Sequence, residues 1–305
     1  MKITVGTRGS NLAVTQTNWV IDQLKAAHPE LEVDVTIIKT KGDKILDKPL
    51  NQIGDKGLFV KEIEQALLDG SIDLAVHSMK DMPSDQPDGL ILVAPPQRAD
   101  HRDALVLREG LSSLEDIPQG GKLGTGSIRR IAQIQAIRPD ITCVSVRGNV
   151  ETRMKKIETE NLDGVVLAAA GLKRLGLENR ISAYLSNEQM LAAPAQGILA
   201  VEVRETDDQV KALMEAIVHG ETALATRAER AYLNHADGSC HMPIGAVLEE
   251  DGDQIVLKGL LGTEDGRHLV RDQIRGDRNQ AEAMGVSLAK RLQKALQDKV
   301  DGQEG

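Results

Sequence analysis

The sequence predicts an α/β protein with two α/β domains of similar build followed by a smaller α+β domain. Three observations predict it. First, β-branched runs alternate with segments of helical period, the pattern of strands joined by helices. Second, a strand, a Gly-Thr turn, a serine and a helix occur around Gly6-Thr7 and Ser10, and again around Gly124-Thr125 and Ser127, 118 residues further on. Third, from about Glu221 the pattern changes to a helix, three strand candidates and a last helix. A length of 305 residues at about 150 per domain suggests two domains, and the third pattern makes three the better fit.

Taken in order, Lys2 to Val5 is a β-branched run ending at Gly6-Thr7-Arg8-Gly9-Ser10. Ser10 is placed to cap a helix carrying Leu12, Val14, Val20, Ile21 and Leu24 as far as His28-Pro29. Leu31 to Ile38 alternates Leu31, Val33, Val35 and Ile37 with polar residues, the period of a strand. A helix from about Phe59 to Leu68 follows; Gly70 stops it, and Ile72 to Val76 is a buried strand. The second series has a short strand at Leu123, the turn Gly124-Thr125-Gly126-Ser127, and a helix from Ile128 to Ile137 stopped by Pro139. Strand Ile141 to Val146, helix Val150 to Glu160 and strand Gly164 to Ala168 complete it. Both sheets are expected to be largely parallel. After a helix bearing Leu224, Ala228, Ala231 and Tyr232, strands are predicted at Gly245 to Leu248, Gln254 to Leu261 and His268 to Ile274. The Asp/Gly-rich turns between them suit hairpins, and a last helix covers Gln280 to Leu296.

Lys and Arg number 37 against 46 Asp and Glu, a formal charge of −9, and the aromatics are Trp19, Phe59, Tyr184 and Tyr232 alone. Such a chain lacks the basic field and stacking platforms of a general nucleic-acid binder. No apolar run approaches the ~18 residues of a membrane span. Arg8 stands where a signal peptide needs its apolar stretch, so export is not expected. Two cysteines, Cys143 and Cys240, are too few for a disulfide framework and fit a reducing compartment, the cytoplasm.

Nucleotide motifs fail on inspection. Gly124-x-Gly126-x-x-Arg129 lacks the third glycine of a dinucleotide fingerprint, and Lys122 after Gly120-Gly121 is not followed by Ser or Thr. Both Gly-Thr turns do place arginine at a helix N-terminus: Arg8 in the first, Arg129 and Arg130 in the second. The macrodipole disfavours a cation there, and a bound anion resolves the conflict. Arg147-Gly148-Asn149 and Lys80-Asp81 follow predicted strands, where open α/β sheets hold ligands, with Arg153 about one helical turn further on. Guanidinium groups recurring at strand ends suggest a ligand with several carboxylates or phosphates. Asp81 reads either as a salt-bridge partner or as an anion that stabilises a developing cation and relays protons. Cys240, between Gly238 and Pro243, is a candidate attachment or nucleophilic thiol. His235, Cys240 and His241 match no standard zinc spacing, and no metal is expected.

Taken together, these segments resemble the porphobilinogen deaminase (hydroxymethylbilane synthase) family nearly end to end. The most specific are Lys56-Gly57-Leu58-Phe59-Val60-Lys61-Glu62 and His77-Ser78-Met79-Lys80-Asp81-Met82-Pro83; others are Ser127-Ile128-Arg129-Arg130, Val146-Arg147-Gly148-Asn149-Val150-x-Thr152-Arg153, Ala170-Gly171-Leu172-Lys173-Arg174-Leu175 and Gly238-Ser239-Cys240-His241-Met242-Pro243-Ile244-Gly245. The resemblance implies an enzyme that condenses four porphobilinogen molecules head to tail into hydroxymethylbilane, releasing ammonia. It implies a dipyrromethane cofactor held by a thioether to Cys240, with Asp81 as the catalytic acid. It implies further that Arg8, Ser10, Lys56, Ser78, Lys80, Thr125, Ser127, Arg129, Arg130, Arg147, Asn149, Arg153, Arg174 and Gln196 hold the acetate and propionate groups of the pyrroles. The implied architecture is two periplasmic-binding-protein-like domains around a cleft, residues 1–97 with 196–215 and residues 98–195. Residues 216–305 are then the cofactor-carrying third domain. A monomer is expected.

The chain departs from the family pattern at four places. Gly126-Ser127 stands where Ser-Ser is frequent, Gln52 where lysine is common, Asp55 where glycine is usual and Ala195 where glycine is frequent. These bear on rate and loop behaviour more than on reaction type. A binding or sensing protein for an anionic small molecule would share the architecture, but it needs neither Asp81 nor Cys240 and gives the third domain no purpose. A family member that has lost activity is the other alternative.

Overall fold

The computed structural model describes residues 1–44, 60–83, 85–236 and 242–302. The chain forms two compact units, Met1–Ala99 with Gly197–Ala223, and Asp100–Gln196 with Leu224–Gly305. The elements before the first crossing are β1 (Lys2–Thr7), α1 (Asn11–Ala27), β2 (Glu32–Ile37), α2 (Lys41–Lys44), α3 (Lys61–Leu68), β3 (Leu74–Ser78) and β4 (Leu90–Val93). Then come β5 (Asp103–Leu107), β6 (Lys122–Gly124), α4 (Ile128–Ile137), β7 (Thr142–Val144), α5 (Val150–Thr159), β8 (Gly164–Ala168), α6 (Ala169–Arg174) and β9 (Ala183–Tyr184). The chain returns with β10 (Leu199–Arg204) and α7 (Asp208–Glu215), continues through α8 (Gly220–His235), and ends in β11 (Ile244–Asp251), β12 (Gln254–Gly262), β13 (Leu269–Asp277) and α9 (Ala281–Asp301).

The first unit is built on a sheet of order β2-β1-β3-β10-β4. α1 lays Val20, Ile21 and Leu24 on one face, against Ile3, Val5, Leu74, Val76, Leu199, Val201 and Val203. On the other face α3 packs Ile63 and Leu67 with Ile72, Ala75 and Leu90. Both faces are covered, so these strands read as apolar runs rather than alternations. The edge strand β2 is the exception: it forms where the alternation predicts a strand, but its Val35 and Ile37 are exposed and Val33 is only partly covered.

In the second unit a sheet of order β7-β6-β8-β5-β9 packs Leu105, Leu123 and Val166 against Ile134 of α4, and Ala104, Val106, Val165 and Leu167 against Met154 and Ile157 of α5. The two five-stranded sheets share one pattern. Three strands run parallel (β2-β1-β3 and β7-β6-β8), then a fourth and a fifth each pair antiparallel. Four of the five strands in each sheet thus run one way, so the sheets are largely parallel as expected, with one reversed strand making each mixed. The reversed strands are β10 and β5, which directly follow the two crossings between units, so neither arrives through a helical βαβ connection. Gly124 closes β6 because a Cβ there would lie 2.8–2.9 Å from Val165, Leu162 and Val146.

The C-terminal part of the second unit is the expected α+β arrangement, an antiparallel sheet β11-β12-β13. α8 and α9 cover one face, Tyr232, Leu288 and Leu292 packing on Ile244, Ala246, Ile255 and Leu257. The Tyr232 hydroxyl donates to Leu260 O at 2.8 Å. The opposite face meets Leu191 and Ala192 through Val247 and Leu260.

Candidate functional site

In the first unit the functional residues gather where β1 and β3 end. Ser10 caps α1, its Oγ accepting from Ala13 N at 3.3 Å, and no acid stands in the first helical turn, so the dipole there favours an anion. β3 closes at Ser78 and passes into a short 3₁₀ turn, Met79–Asp81. Met79 and Met82 are buried and anchor the turn, Met79 N donates to Ile198 O at 3.0 Å, and Asp81 is left exposed. A pocket of about 90 Å³ is lined by Arg8, Ser10, Gln16, Ser78 and Asp81, with His77 and the apolar Leu12, Val60 and Val76. Arg8, Ser10, Ser78 and Asp81, all singled out from sequence, therefore share one cavity; Lys80 lies beside it on the same turn. Gln16 and His77 were missed. Gln16 is buried on the α1 face, with its Nε2 donating to Ser78 Oγ at 3.1 Å; a polar residue on an apolar helix face was its signal.

In the second unit β6 leads through Thr125, Gly126 and Ser127 into α4. Thr125 is buried, its N–H on Val144 O at 2.8 Å and its Oγ1 accepting from Ser127 N at 3.3 Å. Arg129 and Arg130, in the first turn of α4, turn into the protein and meet on Asp103, the first residue of β5. Arg129 Nη1 lies 2.7 Å from Asp103 Oδ2, and Arg130 reaches Oδ1 through Nη2 at 2.7 Å and Nε at 3.1 Å. Arg129 also donates to Leu191 O and Arg130 to Val166 O. Gln196 is fully buried and donates to Asp103 Oδ1 at 3.0 Å and to His101 O at 2.7 Å. The anion needed in the first turn of α4 is thus supplied by the protein, from a residue that sequence reasoning missed. Burial opposes the charge of Asp103, yet the two guanidinium ions override it and hold the carboxyl well below its ordinary range. Two cations share one carboxylate, so the cluster keeps an excess positive charge. Burial pushes Arg129 downward, with Asp103 opposing the shift.

The remaining basic residues follow other strands of the second sheet. Arg147 follows β7, and its Nη1 is buried with no hydrogen-bond partner among the described residues. Gly148 holds φ at +111°, a conformation suited to glycine, and a Cβ there would press on Thr152 at 2.7 Å. Asn149 caps α5, its Oδ1 accepting from Thr152 N at 2.8 Å, while Arg153 Nε donates to Gly148 O at 2.8 Å. Arg174 ends α6 and is pushed down to about 10 by burial. Ala195 adopts φ +59°, a left-handed conformation that glycine takes more readily than an L-residue; its N–H donates to Glu229 Oε2 at 2.6 Å. Lys56 and Cys240 lie outside the described residues, as do Gln52, Asp55 and His241.

Two family models cover most of the chain. "Porphobilinogen deaminase, dipyromethane cofactor binding domain" matches residues 3–212, and "Porphobilinogen deaminase, C-terminal domain" matches residues 223–294. Among curated relatives, the porphobilinogen deaminase of Clostridioides difficile (strain 630) is 49% identical over 298 residues, spanning 98% of this chain and 99% of the relative. That of Syntrophotalea carbinolica is 51% identical over 288 residues, 94% of this chain and 91% of the relative. Of solved structures, the methionine binding protein MetQ aligns over 75% of this chain and 94% of its own at 12% identity and a TM-score of 0.46. The Bordetella pertussis BvgS VFT2 domain aligns over 74% of this chain and 91% of its own, at 14% identity and a TM-score of 0.43.

Proposed function

The chain belongs to the porphobilinogen deaminase family, and from that premise we infer that it joins four porphobilinogen molecules head to tail into hydroxymethylbilane, with loss of ammonia. It is a transferase of porphyrin biosynthesis that extends a dipyrromethane primer. The observation that carries the residue assignment is the pocket in which Asp81 stands with Arg8, Ser10 and Ser78. In our reading, Arg8, Ser10 and Lys80 bind the acetate and propionate of an incoming pyrrole, the guanidinium in bidentate fashion and the serine beside the α1 N-terminus. That grip sets the aminomethyl carbon and the pyrrole N–H against the Asp81 carboxylate. As ammonia departs, positive charge spreads over the pyrrole, and Asp81 stabilises that charge and holds the proton on the ring nitrogen. Ser78 and Lys56 complete the carboxylate contacts.

The residues of the second unit fit an anionic dipyrromethane. Arg129 and Arg130 retain excess positive charge over Asp103, Arg147 Nη1 is buried with no hydrogen-bond partner among the described residues, and Arg174 is a cation depressed by burial. Each of these features is relieved by a carboxylate. Thr125, Ser127, Asn149 and Arg153 serve the same ligand, Gln196 acts behind them by holding Asp103, and Cys240 attaches the ligand. When bound, the cofactor supplies the nucleophilic pyrrole carbon from which the chain grows. We propose the domain division 1–97 with 196–215, 98–195 and 216–305, a monomer, and a cytoplasmic location. Intact-mass measurement tests the assignment: protein from cells that make tetrapyrroles carries a dipyrromethane adduct, and Cys240→Ala does not. Asp81→Ala keeps the adduct and loses turnover. An unmodified wild-type chain, or near-normal turnover by Asp81→Ala, overturns it.

A further inference from the structure

One helical turn beyond Arg129, Gln133 of α4 is fully buried. Its amide grips the backbone of Leu191 at both polar groups: Oε1 accepts from Leu191 N at 2.9 Å, and Nε2 donates to Leu191 O at 3.1 Å. Nε2 also donates to Arg129 O at 3.3 Å. The same Leu191 oxygen accepts from Arg129 Nη1 at 2.8 Å, while that nitrogen bonds Asp103 Oδ2 at 2.7 Å. Arg129 Nη1 is therefore aimed by two acceptors, and Gln133 holds one of them in place. A buried polar network orients its members most firmly when each is satisfied.

The C-terminal sheet reaches this clip from the other side. Arg271 of β13 donates from Nη2 to Gln133 Oε1 at 2.5 Å and from Nη1 to Glu188 O at 2.6 Å. It stands opposite Leu260 of β12, on the face where Val247 and Leu260 pack against Leu191 and Ala192. The next peptide along adds a contact, Ala246 N donating to Ala192 O at 3.0 Å. Gly245 passes so close that a Cβ there would lie 3.0 Å from Leu191 O. In the turn between β12 and β13, a Cβ on Gly266 would come within 3.3 Å of the Cβ of Ala132, the neighbour of Gln133. Leu191–Ala192 is thus a strut between the arginine pair of α4 and the start of β11, which follows Cys240 closely in the chain.

We propose that Gln133, and Arg271 acting through it, are positioning residues for Arg129, and that the seating of the C-terminal sheet on α4 sets how fast the dipyrromethane is built on Cys240. The proposal rests on the cofactor assignment given above. Building the cofactor joins two porphobilinogen molecules to the thiol. The sulfur bonds the first aminomethyl carbon as its C–N bond breaks, and the free α-carbon of that pyrrole then bonds the second aminomethyl carbon in the same way. Two ammonia molecules leave, one with the thiol hydrogen and one with the α-carbon hydrogen. Each ring is held by its carboxylates while it reacts, so a misdirected Arg129 slows the step. A displacement of about 1 Å costs on the order of 100-fold in rate.

The test uses the full chain, unmodified, from cells that make no porphobilinogen. Circular dichroism and urea unfolding first establish that each variant is folded. Porphobilinogen is then added, and the loss of unmodified chain is followed by intact mass for wild type, Gln133→Met, Arg271→Met and the double variant. The expected rate is about 10- to 100-fold lower in Gln133→Met and lowered less in Arg271→Met. In the double variant it is no lower than in Gln133→Met, because Arg271 acts through Gln133. A purely structural role lowers stability in urea and leaves the uptake rate of folded chains unchanged. A wild-type rate in folded Gln133→Met therefore overturns the proposal, as does a double variant in which the two losses multiply. Arg271 is exposed on an edge strand, so Arg271→Met is expected to fold. Should Gln133→Met not fold, a slowed Arg271→Met sustains the proposal and a wild-type rate there overturns it. A wild-type chain that takes up no adduct marks failure of the cofactor assignment itself, and the proposal falls with it.

Discussion

Asp103→Asn isolates the charge balance under the arginine pair. The carboxylate is fully enclosed and accepts from Arg129, from two nitrogens of Arg130 and from Gln196. The amide keeps the shape but removes the charge, leaving two enclosed guanidinium ions without an anion and aiming an NH₂ at groups that all donate. Breaking a buried ion pair by removing one partner costs about 3–5 kcal/mol. At about 1.4 kcal/mol per tenfold, that is a factor of roughly 10²–10⁴ in the ratio of folded to unfolded chains. The folded-state pKa of Asp103 lies below its ordinary 3.8, so its stabilisation is present above that value and lost as pH falls through the lower folded one. Wild type and variant should therefore differ by the full amount near neutral pH and converge only in strong acid. The assay is urea unfolding followed by circular dichroism, with both proteins in a Cys240→Ala background to remove the cofactor. Added sulfate or citrate should stabilise the variant more than the parent, because a bound anion replaces the missing charge. A deficit under about 1 kcal/mol at neutral pH, below even the weakest breakage of such a pair, refutes the reasoning.

Other outcomes follow from single positions. Ala195→Gly relieves a left-handed conformation that costs an L-residue about 1–2 kcal/mol, offset in part by the entropy of glycine, so a gain of about 0.5–1 kcal/mol in urea unfolding is expected. A loss at this position argues that the Ala195 side chain matters to the crossing more than its φ does. Burial pushes the Cys143 thiol up to about 11. At pH 8 about one part in 10³ is thiolate, so iodoacetamide should leave Cys143 unmodified on the timescale that labels an ordinary thiol, as peptide mass analysis can check.

What was legible in the sequence was whatever periodicity or a strand end marks. α4 spans the predicted Ile128–Ile137, which Pro139 follows, and β8 the predicted Gly164–Ala168, a short apolar run buried along nearly its whole length. β5 and β10 were not read as strands from periodicity. Both are short apolar runs buried on two faces, and nothing local says which sheet they enter or in which direction. The same division holds at the site. Arg8 and Asp81 were visible because a charge at a strand end is unusual; Ser78 was reached only through the family resemblance. Asp103 was not visible, because it is defined by partners distant in sequence: it meets Arg129 and Arg130 26 and 27 residues away. A buried acid announces itself only once its cation is known.

The placement of β10 also orders the birth of the protein on the ribosome. β10 is the fourth strand of a sheet whose others all lie before residue 94, and β4 joins that sheet only through it. The second five-stranded sheet, from Asp103 to Tyr184, needs no later strand. As the chain emerges from its N-terminus, the second sheet can close while β3 still shows a bare edge and β4 has nothing to pair with. Such an edge is open to foreign strands until residues 199–204 arrive. Because Met79 hydrogen-bonds to Ile198, the turn that carries Asp81 is also without its support until that moment. Nascent chains halted before residue 199 should therefore be recognised by chaperones through their first domain, while the second already resists protease.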